Sequence, residues 1–254
     1  MNNLFRNLSI LADGEPVTGF SHARLSGRDA VGLSPLPFTL RLWNLPDSVY
    51  NLFASAKRVS VSHGDSVLAC GQVSDVWRGT APEGTVTEIV FSPGLSLWEA
   101  PVSLSVEAGV SVSETVRRIL EASGTGIALL SFPGEDPVRT RGQAFFGRAA
   151  ECVKEALSGT GARACLTPSG LCVIPEEGLP VSLELSAEDL TDAPSRAGGN
   201  LLVVKTKVTG WPPGKQIAVN WKGQRWEGLA VMRSVDADNL DGNWESELLL
   251  EVRS

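Results

Sequence analysis

The chain has 254 residues, of which 43% are hydrophobic and 20% are charged, and its net charge is −7. This length allows one large or two modest domains, each with an apolar core. The acidic balance argues against a protein that mainly binds nucleic acid, because neutralising phosphates requires clustered Lys and Arg.

Residues 1–104 are predicted to form mainly β-strands. Asp13-Gly14 and Gly64-Asp65 are turn sequences that favour hairpins between neighbouring strands. Gly71 interrupts the alternation of the strand after the second turn, which favours a β-bulge there. A short helix is expected over 47–56 with Asp47 as its N-cap residue.

Residues 105–178 change to a pattern of helices and strands. Ser111 and Glu114 match a capping box at the start of a helix that reaches Ala122. A second helix is predicted over 148–158. Each helix ends in the tetrapeptide Ser-Gly-Thr-Gly. A phosphate site needs glycines that precede a helix, so we interpret both tetrapeptides as C-terminal caps.

Residues 179–254 show the strict alternation of half-buried β-strands. In the last strand Leu248, Leu250 and Val252 share one face with Trp244, and Leu249 is the one apolar residue on the charged face. We predict that Trp244 points inward and anchors the core of this region. Short strands divided by Gly, Pro, Asn and Asp indicate a sandwich or a barrel.

Several residues resemble catalytic groups. Gly64-Asp65-Ser66 is similar to a block found in one esterase family, but such a serine needs a histidine late in the chain, and His22 and His63 both precede it. Cys70 with His63 lacks a third group that would orient the base. We therefore predict that the protein is not an enzyme and assign no catalytic residue.

The same interpretation applies to metals and cofactors, for which no residue is assigned. The cysteines lack metal-ligand spacing to the histidines and are expected to be buried thiols: Cys70, Cys152, Cys165 and Cys172. The acidic loop 236–243 lacks the glutamate that a calcium loop has at its twelfth position. We interpret it as a polar turn, with a weak surface cation left open.

Seven tryptophans stand against one tyrosine. Four of them fall in the last third of the chain: Trp211, Trp221, Trp226 and Trp244. Core filling or an oligomer contact is the commoner use of such rings. Stacking against a sugar or a nucleobase is the alternative.

The order of these elements resembles the baseplate hub proteins of phage tails. That family includes the late control D proteins, and the amino-terminal half of type VI secretion spike proteins is related to it. Each matching segment is unspecific by itself, and the resemblance depends on their order along the chain. The segments are the hairpin strands 58–65 and 71–76, the helices 113–122 and 148–158 with the hairpin at 169–171, and the closing strands at 213–215, 226–228 and 242–248.

The resemblance implies a mainly β fold, with small β-barrel domains over 1–104 and 179–254 flanking an α/β insertion module over 105–178. It implies a homotrimer whose six barrels form a ring that adapts a hexameric tail tube to a trimeric central spike. Other baseplate or tape-measure proteins would be further partners, and DNA would pass through the channel only transiently.

The expected location is the virion tail baseplate, after assembly in the host cytoplasm. No stable membrane insertion is expected, because the sequence has no run of about 20 apolar residues and no apolar signal segment at its start. Two alternative functions remain open, a tail-tip cell-wall hydrolase and a carbohydrate-binding β-protein.

Overall fold

The computed structural model describes residues 6–176, 178–208, 210 and 213–252. The chain divides into two compact units. The β unit holds the described residues of 1–30, 36–93 and 181–254, and the α/β unit holds those of 31–35 and 94–180. Within the described ranges, every helix is too short or too polar to pass through a bilayer.

The described residues of the β unit form one mainly antiparallel sheet with a single short helix, α1 (Asp47–Ser55). The first strands of this sheet are β1 (Ser9–Ala12), β2 (Glu15–Pro16), β3 (His22–Ala30), β4 (Phe38–Trp43), β5 (Arg58–His63), β6 (Ser66–Ala81) and β7 (Gly84–Ser92). The later strands are β13 (Val181–Leu185), β14 (Ser195–Gly198), β15 (Leu201–Lys207), β16 (Gln216–Trp221), β17 (Gln224–Asp238) and β18 (Trp244–Val252).

The strand order is β14-β15-β18-β17-β3-β4-β7-β6-β5-β1-β2, and β13 and β16 branch from β17. Strand β17 connects the two ends of the chain. Its first half pairs with β16, its second half pairs with β3, and β18 lies along its other edge. The first and last thirds of the sequence therefore share one continuous sheet.

Two apolar clusters lie on the inward side of this sheet. The amino-terminal cluster is built on a row of directly paired residues that crosses six strands: Val76, Ile89, Leu40, Leu25, Ala237 and Trp244. The carboxy-terminal cluster includes Leu202, Val204, Leu248 and Leu250. Alternation with period two places these side chains on one face and the polar ones on the other.

The α/β unit packs helices against short sheets around its own apolar cluster. Its elements are α2 (Leu95–Glu99), β8 (Pro101–Val106), α3 (Val112–Ser123), β9 (Leu129–Ser131), β10 (Gln143–Arg148), α4 (Ala149–Leu157), β11 (Arg163–Thr167) and β12 (Gly170–Ile174). Strands β8 and β10 form a two-stranded ribbon, and the order β11-β12-β9 makes a three-stranded sheet.

The helix ends follow the sequence closely. The Ser111 hydroxyl accepts a hydrogen bond from the Glu114 amide at 3.3 Å, and Gly124 ends α3 in the left-handed conformation. The Glu114 carboxylate pairs with Arg117 and Arg118. The serine half of the predicted capping box is therefore present, while the glutamate joins ion pairs within its helix.

Two local predictions are wrong. Pro46 is the N-cap residue of α1, and Asp47 lies inside the helix, where its carboxylate accepts a hydrogen bond from Arg78. The bulges of β6 leave out Leu68 and Ser74. Gly71 is instead a point of close approach, because a Cβ there would lie 2.4 Å from the carbonyl carbon of Ser92.

The mainly β fold with a small α/β module is confirmed. The two barrels and the division at 1–104, 105–178 and 179–254 stay predictions.

Candidate interaction surface

The outward face of the β-unit sheet carries a short apolar stripe, which we call the outer stripe: Ala30, Met232, Leu249 and Val203. Leu249 lies directly across from Val203 on β15 and from Met232 on β17, and Met232 pairs in turn with Ala30 on β3. All four residues are partly exposed. Cross-strand apolar neighbours stabilise a sheet, and on an outward face they also offer a flat contact surface.

A charged row runs directly beside the outer stripe. It crosses the same four strands, with Arg28 on β3, Ser234 on β17, Glu247 on β18 and Lys205 on β15. Arg28 and Glu247 are exposed. An apolar centre with a charged rim is the usual composition of a protein–protein contact surface.

Farther along the outward face, the charged residues pair with each other. The Arg24 guanidinium donates two hydrogen bonds to Asp236 at 2.9 and 2.8 Å, and Arg41 donates one to Glu88 at 2.8 Å. These neighbours on adjacent strands satisfy each other within the chain. The outer stripe is therefore an apolar group on a face that also carries these paired charges, together with the exposed Trp77 directly across from Glu88.

On the inward side a buried ion pair lies between the two apolar clusters. Arg233 is 2% exposed, and its guanidinium donates to the Asp29 carboxylate and to the Leu68 carbonyl, both at 2.6 Å. Burial raises the pKa of Asp29 above its usual value, although Arg233 opposes that rise. The pair ties β3, β17 and β6 together, and breaking a buried pair is costly.

Trp244 shares the inward face of β18 with Leu248, as predicted, but it packs against the amino-terminal cluster. Its ring meets His63 edge-on at 5.0 Å between ring centroids, and the Arg6 guanidinium lies 5.8 Å from the ring centroid. The prediction that Trp244 anchors the carboxy-terminal core is therefore wrong. Strand β18 passes from one cluster to the other, and its first residue belongs to the amino-terminal one.

The other tryptophans in this region have separate surroundings. Trp226 packs against the carboxy-terminal cluster, and the ring of Trp221 lies 5.4 Å from the Lys222 ammonium. Trp211 lies outside the described residues. Trp77 on β6, which the sequence did not single out, is 56% exposed, and its ring covers the backbone of Gly79. In the α/β unit, Phe146 on β10 is 87% exposed.

In the acidic loop 236–243, the carboxylates of Asp236 and Asp238 are hydrogen-bonded to other groups of the protein. The Asp238 carboxylate accepts a hydrogen bond from the Leu240 amide at 2.9 Å and lies 2.8 Å from His22 Nε2. Burial alone raises the pKa of Asp238, but these contacts outweigh it and the pKa is lowered. Asp236 pairs with Arg24 and Asn243. The described residues contain no group of three or more His, Cys, Asp or Glu side chains arranged for a metal ion.

The catalytic look-alikes are engaged in structural contacts. His63 lies directly across the hairpin from Ser66, but its Nδ1 is 3.0 Å from the Asn7 carbonyl oxygen. The Cys70 sulfur accepts a hydrogen bond from Arg58 Nη2 at 2.8 Å. These contacts agree with the interpretation of Gly64-Asp65 as a turn. That the chain lacks catalytic residues stays a prediction.

Comparison with known proteins gives the fold a context. Neither protein-family models nor curated proteins match this chain. Among solved structures, a tail protein from Neisseria meningitidis is 12% identical, with a TM-score of 0.73 over 97% of this chain and 96% of its own. A 43 kDa tail protein of prophage MuSo2 from Shewanella oneidensis is 10% identical, with a TM-score of 0.66 over 96% of this chain and 95% of its own.

A component of the E. coli type VI secretion system, itself similar to T4 bacteriophage tail proteins, is 13% identical. Its TM-score is 0.70 over 96% of this chain and 77% of its own. The chain therefore has the fold of phage tail and type VI secretion proteins. The resemblance inferred from the order of the sequence elements is confirmed at the level of the fold.

Proposed function

We propose that this protein is a structural hub of a phage tail baseplate or of a phage-like injection device. The observation that carries the proposal is the fold shared with the Neisseria tail protein over almost the full length of both chains. Within a shared fold, function depends on the residues of particular surfaces.

In this proposal three copies form a ring. Each copy contributes two apolar clusters on one continuous sheet, so three copies would place six β modules around an axis. Such a ring matches a hexameric tail tube on one side and a trimeric central spike on the other. Further baseplate or tape-measure proteins would bind its rim, and DNA would cross the channel only in passage.

The outer stripe is our candidate for the contact between copies. Its partly exposed apolar residues pair across four strands, and the charged row beside it carries both signs, with Arg28 and Lys205 against Glu247. A neighbouring copy that covers the stripe removes apolar surface from water, and the charged rim sets the register. The protein would assemble in the host cytoplasm and reside in the virion tail baseplate.

The alternatives have less support from the described residues. A cell-wall hydrolase needs an activated nucleophile or a pair of catalytic carboxylates, and the candidates Ser66, His63 and Cys70 are held in strand contacts. Of the rings that a carbohydrate site could use, Trp226 and Trp244 pack against the two apolar clusters, and the exposed rings of Trp77 and Phe146 belong to different units. We therefore propose an assembly role without catalysis.

The direct test is the stoichiometry of the purified full-length chain, measured by native mass spectrometry alone and after mixing with the tail tube and spike proteins of the same particle. We expect a trimer, or a monomer that becomes trimeric on those partners. A stable dimer or tetramer at every concentration would contradict the hub proposal.

A further inference from the structure

Two cysteines of the α/β unit face each other across a hairpin. Cys165 on β11 and Cys172 on β12 are direct partners in the antiparallel register. Side chains of directly opposite residues project from the same face of the sheet. The register therefore places both thiols side by side on one face of the hairpin.

The surrounding backbone contacts show which kind of pair this is. The Ala164 carbonyl accepts a hydrogen bond from Gly32 at 2.8 Å, and the Leu171 amide donates one to Ala128 at 2.9 Å. The backbone groups of Ala164 and Leu171 therefore point away from the partner strand of the hairpin. Because backbone direction alternates along a strand, the N–H and C=O groups of Cys165 and Cys172 point toward each other. Such pairs have Cα atoms about 5.5 Å apart. A disulfide requires Cα atoms about 4.4–6.8 Å apart and Cβ atoms about 3.5–4.5 Å apart. Directly opposite Cβ atoms in a sheet lie about 4.5–5.5 Å apart, so closing the bond draws the two strands slightly together.

The neighbours of the two cysteines in the same cross-strand row are small. Cys165 forms a bridge with Gly32 on its other side, and Cys172 is paired with Ser131 of β9. A Cβ added at Gly32 would meet no atom within 4 Å. A bond between the two sulfurs therefore does not have to displace a bulky side chain in this row.

We propose that Cys165 and Cys172 form a thiol–disulfide switch, reduced as synthesised and closed in oxidising surroundings. The oxidant is a small disulfide such as glutathione disulfide. Cys172 is partly exposed, whereas Cys165 is 1% exposed, so Cys172 reacts first. This inference concerns the chain itself and does not depend on the hub proposal.

The steps balance as a thiol–disulfide exchange. The Cys172 thiolate attacks one sulfur of glutathione disulfide, which forms a mixed disulfide and releases one glutathione thiolate. The Cys165 thiolate then attacks the Cys172 sulfur and releases the second glutathione. The protein loses two protons and two electrons, and one glutathione disulfide becomes two glutathione thiols. The product links the two strands of the β11–β12 hairpin.

The sequence allows each thiol to be followed separately. Trypsin cleaves after Lys and Arg, so Cys165 and Cys172 fall together in the peptide 164–196. Cys70 falls in 59–78 and Cys152 in 149–154. The reduced full-length protein is incubated with glutathione disulfide, denatured, alkylated with iodoacetamide, digested and analysed by mass spectrometry.

We expect peptide 164–196 to carry no alkyl group and to be lighter by two hydrogen atoms, while 59–78 and 149–154 stay fully alkylated as internal controls. Dithiothreitol should restore two alkylations. In the Cys172→Ser variant, Cys165 should remain alkylated, and the oxidant should leave the melting temperature unchanged, whereas it raises that of the wild type.

Two results would overturn the proposal. One is a peptide 164–196 that keeps two alkyl groups under conditions in which exposed thiols react. The other is a peptide with glutathione on Cys172 and an alkyl group on Cys165, because the geometry would then not allow the second step.

Discussion

The guanidinium of Arg233 and the carboxylate of Asp29 lie 2.6 Å apart at the boundary between two apolar clusters, with only 2% of the Arg233 side chain exposed. The same guanidinium donates to the Leu68 carbonyl. One cation thus connects a strand from the end of the chain to two strands from its beginning.

Removing one member of this pair should destabilise the β unit strongly. Asp29→Ala leaves the Arg233 charge buried without its carboxylate, and such losses cost roughly 3–5 kcal/mol. The free energy of unfolding from denaturant titration measures this change. Arg41→Ala is the matched control, since it breaks the more exposed pair with Glu88. There we expect a change of about 1 kcal/mol or less. Equal losses in the two variants would show that the buried pair has no special role.

Trp244→Ala should destabilise the amino-terminal cluster, because the ring closes the apolar row that crosses six strands. We expect a loss of about 2–3 kcal/mol, somewhat less than for a fully buried tryptophan, since Trp244 is only partly buried. Glu245→Ala on the opposite face should change stability by about 0.5 kcal/mol or less. If thermal melting of Trp244→Ala matched the wild type, the ring would not belong to this core.

The lowered pKa of Asp238 predicts a specific dependence of stability on pH. The native state binds its proton less readily than the unfolded state, so the carboxylate stabilises the fold above its unfolded pKa. That contribution is lost as pH falls through the lower native pKa. Asp238→Asn should therefore flatten the acid-side decline of the free energy of unfolding. Denaturant titrations at a series of acidic pH values measure this slope.

Asp29 supplies the control of opposite sign. Its pKa is raised by burial, so its contribution is present below the unfolded pKa and decreases as pH rises through the raised native value. Asp29→Asn should alter the profile in the direction opposite to Asp238→Asn. Two variants with the same change of slope would contradict one of the two assignments, and the sign of that change would show which one.

The outer stripe can be tested by placing a charge on it. If it forms the proposed contact between copies, Leu249→Asp should yield a folded monomer, because a buried carboxylate without a partner opposes association. Val90→Asp is the matched control, since Val90 is also partly exposed on β7 of the same sheet but lies away from the stripe. Circular dichroism reports folding, and native mass spectrometry reports the number of subunits under the conditions in which the wild type is trimeric, with the tube and spike proteins added if the wild type needs them. A trimeric Leu249→Asp protein would exclude this surface as the contact.

Local chemistry in the sequence was enough to predict much of the fold. The alternation in 244–252, the cap at Ser111 and the turn at Gly64-Asp65 each depend on neighbouring residues, and the structure contains all three. The ribbon of β8 and β10 was missed because its two strands are far apart in sequence, although Val102, Leu104 and Val106 of β8 alternate as a half-buried strand requires.

Long-range pairing explains the remaining errors. The alternation of the last strand correctly predicted that Trp244 lies on the inward face. Which cluster the ring joins depends on the pairing of β17 with β3, which the sequence does not show. Gly71 was predicted to be a bulge because it interrupts the local alternation. The actual reason for a glycine there is the close approach of Ser92, which is 21 residues away and cannot be seen in the local sequence. The sequence indicates the candidate interaction surface at one position only, the apolar Leu249 on the charged face of its strand. Only the register shows that it meets Val203 and Met232.

The path of β17 also bears on how the protein is made. The amino-terminal core includes Val235, Ala237 and Trp244, which the ribosome adds long after strands β1 to β7 of the same core. Until then, the nascent chain exposes the edge of β3 that β17 later covers, together with an unfilled apolar row. An exposed strand edge of this kind favours pairing with other chains. Fragments that stop before β17 should therefore aggregate, and the core whose strands are made first should close only after β17 and β18 have been made.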